Sequence, residues 1–312
     1  MPEVSILIVT YRARALLEGC LASLEAYAPP GVETIVIDND SRDGTLETLP
    51  ARFPAVRWVG NDDDVGFAPA VNQAAALAAG RHLLVFASDA VLLPGAVERL
   101  VAFLDARPRA ALVGPRLLLL NGEPYVSAVR FPTLGSVLLY ETRLNRLLPR
   151  ARRPYAAELA AGAAFAVDAV EGSVFLARRE AWEAVGGFDD RYFFGFEDMD
   201  LGWRLRRAGW QTWHDPAPAA VHHHAGASGG TRSASTLLLV SVGLGAMYFM
   251  RKNRPASYAA LWPPLVAAFS VKWALTRLLG RRAHATAFRE TVRAMLGLRP
   301  MWIVPEDRRR WT

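Results

Sequence analysis

The feature that most restricts how this chain can fold is a series of continuous apolar runs too short to be helices. Val4–Thr10 (VSILIVT) is the first. A run of this kind is buried on both faces, as strands of a parallel sheet are. Leu16, Leu17, Cys20, Leu21 and Leu24 then recur at helical spacing, and Pro29-Pro30 end that helix. Thr34–Ile37 is a second buried strand, closing on Asp38-Asn39-Asp40-Ser41 and the turn Asp43-Gly44. Strand, helix, strand, turn is the opening of a nucleotide-binding α/β sheet, with ligands expected at the carboxyl ends of the strands. No GxGxxG follows the first strand, which argues against a dinucleotide dehydrogenase. Thr10, Tyr11 and Asp38 stand where a nucleobase and ribose would be met, although Asp38 alone is equally a turn-forming residue.

Val56–Val59 predicts a third strand, followed by NDDDVGFAPAVNQAAALAAG. Gly66 breaks the chain there, and a helix is expected from near Pro69 to Gly80; Asp62–Asp64 read equally as a solvated turn. Leu83–Phe86 is the expected central strand and ends in Ala87-Ser88-Asp89. A carboxylate at the carboxyl end of a central strand is where a hard cation bridging a diphosphate is held. Pro94–Ala106 reads as an amphipathic helix, Ala110–Leu120 as a strand turning at Asn121-Gly122, and Arg130–Pro154 as a loop over the active site.

Ala169–Trp210 carries the second concentration of chemistry. Ser173–Ala177 is a short strand, and Gly186-Gly187 stop the helix that follows it. Then come Tyr192, Phe193, Phe194 and Phe196, and the carboxylates Glu197, Asp198 and Asp200 at the start of a helix ended by Gly209. Two acids at a helix N-terminus are by themselves a favourable cap. Apolar rings crowded before them desolvate a carboxylate and tune it toward general-base work. Further on, His222, His223 and His224 cannot all point one way on an extended chain, so at most two share a face.

The run GGFDDRYFFGFEDMDLGWRLRRAGW resembles the acceptor-side motif of family-2 inverting glycosyltransferases of GT-A fold. It is most similar to the bacterial branch containing rhamnosyltransferases of cell-surface polysaccharides, and the resemblance runs from about Val4 to about Ser228. It implies an α/β fold of the GT-A nucleotide-diphospho-sugar transferase type, with a mostly parallel central sheet flanked by helices and the catalytic domain at residues 1–230. It implies a nucleoside-diphosphate sugar donor, a glycan or lipid-linked acceptor and a divalent cation, Mg²⁺ or Mn²⁺. Asp198 would be the base, with Glu197 orienting acceptor or base; Asp38 would contact a pyrimidine, and Phe67 and Asn72 would cover the nucleotide-sugar. Asp64 stands where an asparagine is usual. The family's Asp-x-Asp, or Asn-Pro-Asp, is Ala87-Ser88-Asp89 here, leaving Asp89 as the motif's one carboxylate. By spacing to Gly226 and Ser228, His223 matches a metal-ligating histidine of the family, with His222 and His224 as flanking residues. Two rivals stand beside this. One is a degenerate relative that binds glycan or nucleotide-sugar without turnover, for which Ala87 speaks; the other is a metal hydrolase built on the histidines, which lacks any HExxH spacing.

Composition bears on the rest of the chain. The single Cys20 excludes an internal disulfide, fits a reducing compartment and reads as a small apolar residue of the first helix. No signal peptide is expected before Val4. The net charge of +6 hides a gradient: residues 1–107 hold 8 basic and 14 acidic side chains, residues 251–312 hold 13 and 3. After Gly230 the apolar stretches Leu237–Met250 and Ala256–Val271 fall short of a membrane span, the second being interrupted by Pro263-Pro264. Arg and Trp edge both. Residues 231–312 are therefore expected to be a basic helical extension on an anionic membrane surface rather than on nucleic acid, placing the protein in the cytoplasm at the inner face of the cell membrane. The alternative is that these helices pack back onto the catalytic domain.

Overall fold

The computed structural model describes residues 2–125, 127–133, 135–137, 155–223, 236–304 and 306–307. The expected loop at residues 130–154 thus lies largely outside the described residues, as do His224, Gly226 and Ser228.

The first apolar runs form β1 (Val4–Thr10), β2 (Glu33–Asp38) and β3 (Arg57–Gly60), joined by α1 (Arg14–Tyr27) and α2 (Thr45–Arg52). α3 (Phe67–Leu77) returns the chain to β4 (His82–Phe86). β1 pairs in parallel with β2, Thr10 opposite Asp38, and with β4, Val4 opposite His82. The order is therefore β3-β2-β1-β4. The winding reverses between β1 and β4, which opens a crevice at the carboxyl ends of the strands. Ile6, Ile8, Val36, Leu84 and Phe86 cluster with Leu17 and Leu21 of α1, while Leu7, Ile35, Ile37 and Val85 cluster with Val71 and Ala74 of α3. Both faces of these strands are covered, which is why they read as unbroken apolar runs. Cys20 is buried on α1 and its thiol pKa is raised by that burial. α3 begins two residues before the expected Pro69, because the Phe67 N–H donates to the Phe193 carbonyl (2.7 Å) and fixes the first turn there.

The next elements are β5 (Ala90–Leu92), α4 (Ala96–Asp105), β6 (Ala110–Leu118), β7 (Pro124–Tyr125), β8 (Ala128–Val129), α5 (Ala156–Ala161), β9 (Phe165–Val167) and β10 (Ala169–Val170). β11 (Val174–Arg178), α6 (Arg179–Ala184), α7 (Glu197–Arg207) and β12 (Gln211–His222) follow. β11 slots antiparallel between β4 and β6, and β12 runs parallel to β6 and antiparallel to β5. The main path is β3-β2-β1-β4-β11-β6-β12-β5. Asn121-Gly122 makes the expected hairpin: Gly122 has a φ of 80°, and β7 pairs back on β6.

α8 (Thr236–Asn253), α9 (Pro255–Leu278) and α10 (Arg282–Met295) end the described chain. The boundary expected near residue 230 lies outside the described residues, but α8 is part of the catalytic body. Leu237, Val240, Leu244, Met247 and Phe249 share one core cluster with Tyr192, Leu201 and Leu205. The Phe249 ring meets Phe196 and Trp203, each at 6.1 Å. The packing-back alternative therefore holds for α8. α9 also differs from expectation, because it continues through Pro263 and Pro264. A proline there removes the hydrogen bond to the carbonyl four residues earlier. Those carbonyls belong to Ala259 and Ala260, both exposed, where water can satisfy them. Among the described residues no helix is long and apolar enough to cross a membrane.

Candidate active site

The crevice is lined on its nucleotide side by the ends of β1 and β2. Thr10 and Asp38 are buried opposite each other in register. Asp38 Oδ1 accepts the Ser41 N–H (2.9 Å), while Asp38 Oδ2 and Thr10 Oγ1 are buried with no hydrogen-bond partner among the described residues. Burial raises the Asp38 carboxyl above its ordinary pKa, the Ser41 hydrogen bonds opposing it. Two buried polar atoms aimed into one crevice call for a polar ligand. A cavity of about 120 Å³ opens beside them, walled by Asp38, Ser41, Thr45 and Asn61. Tyr11 follows directly, with the Arg12 guanidinium 4.8 Å from its ring centre. Arg12, Asp40 and Arg42 all have left-handed φ values of 51° to 59°, and the Arg12 N–H on Ser41 Oγ (2.9 Å) ties the two loops together.

Asn72 is not available to a donor. Its Nδ2 donates to the Phe188 carbonyl (2.9 Å) and to Asp190 Oδ1 (2.6 Å), and its Oδ1 accepts the Phe188 N–H (3.0 Å). It latches α3 to the 186–190 loop, a part the resemblance did not suggest. Phe67, by contrast, does face the site. A Cβ built on Gly172 would lie 3.3 Å from Phe67 Cε1 and 3.6 Å from Glu197 Oε1, so ring, glycine and carboxylate adjoin.

Asp89 is buried in the turn after β4. The histidine ring beside it is that of His222, whose Nε2 is 3.1 Å from Asp89 Oδ1. The resemblance pointed to His223; the ring in contact with Asp89 is that of its neighbour. β12 ends at His222, opposite Ala90, and the turn that holds Asp89 brings its carboxylate against the His222 ring. His223 instead donates its backbone N–H to the Asp89 carbonyl (3.1 Å). Asp89 Oδ1 and His222 Nε2 are in direct hydrogen-bond contact, and a carboxylate oxygen and an imidazole nitrogen are both donor atoms that a divalent cation takes. Among the described residues no group of three or more His, Cys, Asp or Glu that could hold a metal occurs.

On the acceptor side, Gly195 and Phe196 both have left-handed φ values (85° and 75°) and turn the chain into α7. Asp198 Oδ2 accepts the Gly172 N–H (3.1 Å) and Oδ1 accepts the Met199 N–H (2.7 Å). Glu197 is buried, and its Oε2 has no hydrogen-bond partner among the described residues. Burial, and then the charge of Asp198, raise the Glu197 carboxyl well above its ordinary pKa. Asp198 is raised less, by burial and by Glu171, against the lowering effect of its N–H donors. The two N–H donors on Asp198 favour its charged form, while Glu197 Oε2 has no such partner among the described residues. Asp200 points elsewhere, to Arg204 Nε (2.6 Å) and to Lys252 and Asn253 of α8.

A single turn joins the two halves. Ser173 O accepts the Ala87 N–H (2.7 Å) beside Asp89, and Gly172, one residue earlier, donates to Asp198. Glu171, earlier still, accepts the Tyr125 hydroxyl (2.5 Å), and the Tyr125 ring lies edge-on to His222 with centres 6.4 Å apart. Glu171, Tyr125 and His222 were not among the site residues read from the sequence. The Asn121-Gly122 hairpin folds Tyr125 back onto β6, but no local signal pairs it with a residue 46 positions away.

The sheet is mixed rather than mostly parallel as expected, parallel through β3-β2-β1-β4 and largely antiparallel beyond; with an acidic turn on one side of its crevice and a desolvated carboxylate pair on the other, it is the build of a GT-A-type nucleotide-diphospho-sugar transferase. The model of the glycosyltransferase-like family 2 matches residues 2–237, and the chain belongs to that family, in its rhamnosyltransferase-like branch. It is 33% identical over 237 residues to N-acetylglucosaminyl-diphospho-decaprenol L-rhamnosyltransferase of Mycobacterium tuberculosis (strain ATCC 25618 / H37Rv), covering 72% of this chain and 77% of the relative. It is also 33% identical over 139 residues to the pre-mycofactocin glycosyltransferase of the same strain, 44% of this chain and 26% of that protein. Among solved structures, the mannosyltransferase PcManGT of Pyrobaculum calidifontis in complex with GDP-Man and Mn²⁺ superposes with a TM-score of 0.55 at 19% identity, covering 95% of this chain and 86% of that one. GalNAc-T7 with UDP, GalNAc and Mn²⁺ gives 0.53 at 17% identity, covering 70% and 42%. These likenesses establish the fold.

Proposed function

We propose that the protein transfers a sugar, rhamnose or another hexose, from a nucleoside diphosphate to a hydroxyl of a glycan or lipid-linked acceptor in cell-surface polysaccharide synthesis, inverting the anomeric centre. The observation that carries this is the Gly172-Ser173 turn, which ties the desolvated base Asp198 to the Asp89 turn. The named activity of the 33%-identical relative supports a lipid-linked acceptor. Asp198 removes the acceptor proton as the acceptor oxygen bonds to the anomeric carbon and the bond from that carbon to the diphosphate breaks. Glu197, keeping its own proton, orients the acceptor or the base. Thr10, Tyr11 and Asp38 seat the nucleotide, and Phe67 covers the sugar. Asp89 and His222 would hold a divalent cation, Mg²⁺ or Mn²⁺, which when bound offsets the negative charge of the departing diphosphate. The protein would work in the cytoplasm at the inner face of the membrane.

Release of free nucleoside diphosphate from a panel of nucleotide-sugars, only when acceptor is present, tests the transfer. Binding of a donor with no release under any condition would favour the non-catalytic relative suggested by Ala87. Asp89→Ala is expected to remove most activity, with little rescue by excess Mg²⁺ or Mn²⁺, and His222→Ala to weaken the dependence on metal concentration more than His223→Ala. Full wild-type activity in chelator would end the metal assignment.

The pH profile should report the carboxylates. Asp198 acts unprotonated and its pKa is raised, so kcat should fall with acid along a limb above the ordinary carboxylate range of about 3.9–4.3. The limb belongs to the coupled pair rather than to either residue. Because the charge of Glu171 raises both acids, Glu171→Gln should move the limb to lower pH. A limb that stays in place would show that Glu171 does not act on the pair.

A further inference from the structure

Helix α9 has the reverse of the polarity a surface helix should have. Leu261, Leu265 and Phe269 are buried beneath it. Yet the residues it exposes from Ala259 to Leu278 are all apolar except Arg277. Val271, Ala274, Leu275 and Leu278 follow at i, i+3, i+4 and i+7 and form one stripe. Val271 is 58% exposed, Leu275 53%, Leu278 83% and the adjoining Leu279 68%. Contiguous exposed apolar surface of this kind marks a place of attachment. The charges beside it indicate to what: Arg277, Arg281 and Arg282 are exposed around the end of the stripe, and no acidic residue occurs between Asp215 and Glu290.

We propose that Val271–Leu278, with Leu279, seats the protein on an anionic lipid surface, the apolar stripe entering between the lipids while Arg277, Arg281 and Arg282 meet the phosphates. This rests on the lipid-linked acceptor proposed above and names the surface that would bring the enzyme to it. The same charges disfavour a second copy of this chain as the occupant, since two such faces would set like charges against each other. The earlier part of α9 is a poorer insertion element. Pro263 and Pro264 free backbone carbonyls that hydrocarbon could not satisfy, whereas the headgroup layer can.

The test uses the full chain and sucrose-loaded vesicles, with neither donor nor acceptor. Wild type should pellet with phosphatidylcholine vesicles containing phosphatidylglycerol, much less with phosphatidylcholine alone, and be released by salt. Leu275→Asp combined with Leu278→Asp should weaken this about tenfold or more, as expected when two leucines can no longer be buried. Both side chains are more than half exposed, so the unfolding midpoint should not move. Equal pelleting of wild type and the double variant would overturn the proposal. So would a wild-type dimer in sedimentation equilibrium that the double variant turns into a monomer. Pelleting as expected from a protein that transfers no sugar would instead sink the enzymatic reading and leave this surface standing.

Discussion

Asp198→Asn is expected to lower kcat by a factor of about 10²–10⁴, the usual worth of a positioned general base. The amide keeps the size of the side chain and one acceptor, for the Gly172 or the Met199 N–H, but cannot take the proton of the attacking hydroxyl. Donor affinity should survive, because Asp38 and Asp89, the carboxylates proposed to seat the nucleotide diphosphate, are untouched by the change. Glu197→Gln should cost much less activity, since glutamine resembles the protonated acid that burial favours at this position. Adjacent residues at a helix start diverge by roughly 100°, so the two acids cannot serve one atom. A stability measurement separates their roles independently of turnover. The folded pKa of Glu197 is raised, so whatever stability it contributes is fully present below its unfolded pKa and is lost as pH rises through the folded one. Glu197→Gln cannot ionise and should therefore gain on wild type as pH rises above the ordinary carboxylate range. Kinetics and nucleotide-sugar affinity of both variants, with unfolding midpoints from pH 4 to 9, are the measurements. If Glu197→Gln is inactive while Asp198→Asn turns over normally, the base is Glu197.

Much of this site is legible where chemistry and local periodicity coincide. The apolar runs ending in Thr10 and Asp38 became neighbouring parallel strands because strands covered by helices on both faces have almost no other home. Asp89 follows from the same logic, as does the acidic first turn of α7 at Glu197 and Asp198. Contacts made by long-range register were not legible. That His222 meets Asp89 depends on a turn 133 positions away, which no local pattern of the histidine run reveals. Asn72 looked like a ligand residue, but whether an amide meets substrate or backbone depends on a loop 116 positions away. Nothing in the local sequence marks Glu171, which meets Tyr125 only through the hairpin. The C-terminal helices misled in a different way. Apolar composition makes α8 and α9 look alike, yet α8 spends its apolar face on the core and α9 leaves part of its own uncovered.

That use of α8 leads to the second large effect, on stability. Lys252→Met should destabilise the fold by about 1–2 kcal/mol, between the worth of an exposed pair and the cost of breaking a buried one, since Asp200 is buried but Lys252 is exposed. Asp200 is fully buried, and Lys252 Nζ lies 2.8 Å from its Oδ1 and 2.9 Å from its Oδ2. The same ammonium is 2.8 Å from Asp189 Oδ2, so one cation pins α8 to both α7 and the loop before it. Asn253 and Arg204 remain on Asp200 in the variant, which keeps the loss from being larger. Burial works to raise the Asp189 carboxyl, but hydrogen bonds led by that from Lys252 hold it below its ordinary range. A lowered folded pKa contributes stability above the unfolded pKa, lost as pH falls through the folded one. The penalty of Lys252→Met should accordingly shrink below about pH 4. The loss from Lys252→Met should be smaller in an Asp200→Asn background, where the lysine has no carboxylate at 200 to pair with, so the two changes should be far from additive. For the same reason, ending the chain at residue 230 is expected to yield an insoluble product rather than a free catalytic domain, because it strips Leu244, Met247 and Phe249 from the core. Denaturant unfolding of the single and double variants at pH 4 and pH 7 decides the matter. A Lys252→Met chain as stable as wild type at pH 7 would mean that α8 lies on the catalytic helix without holding it.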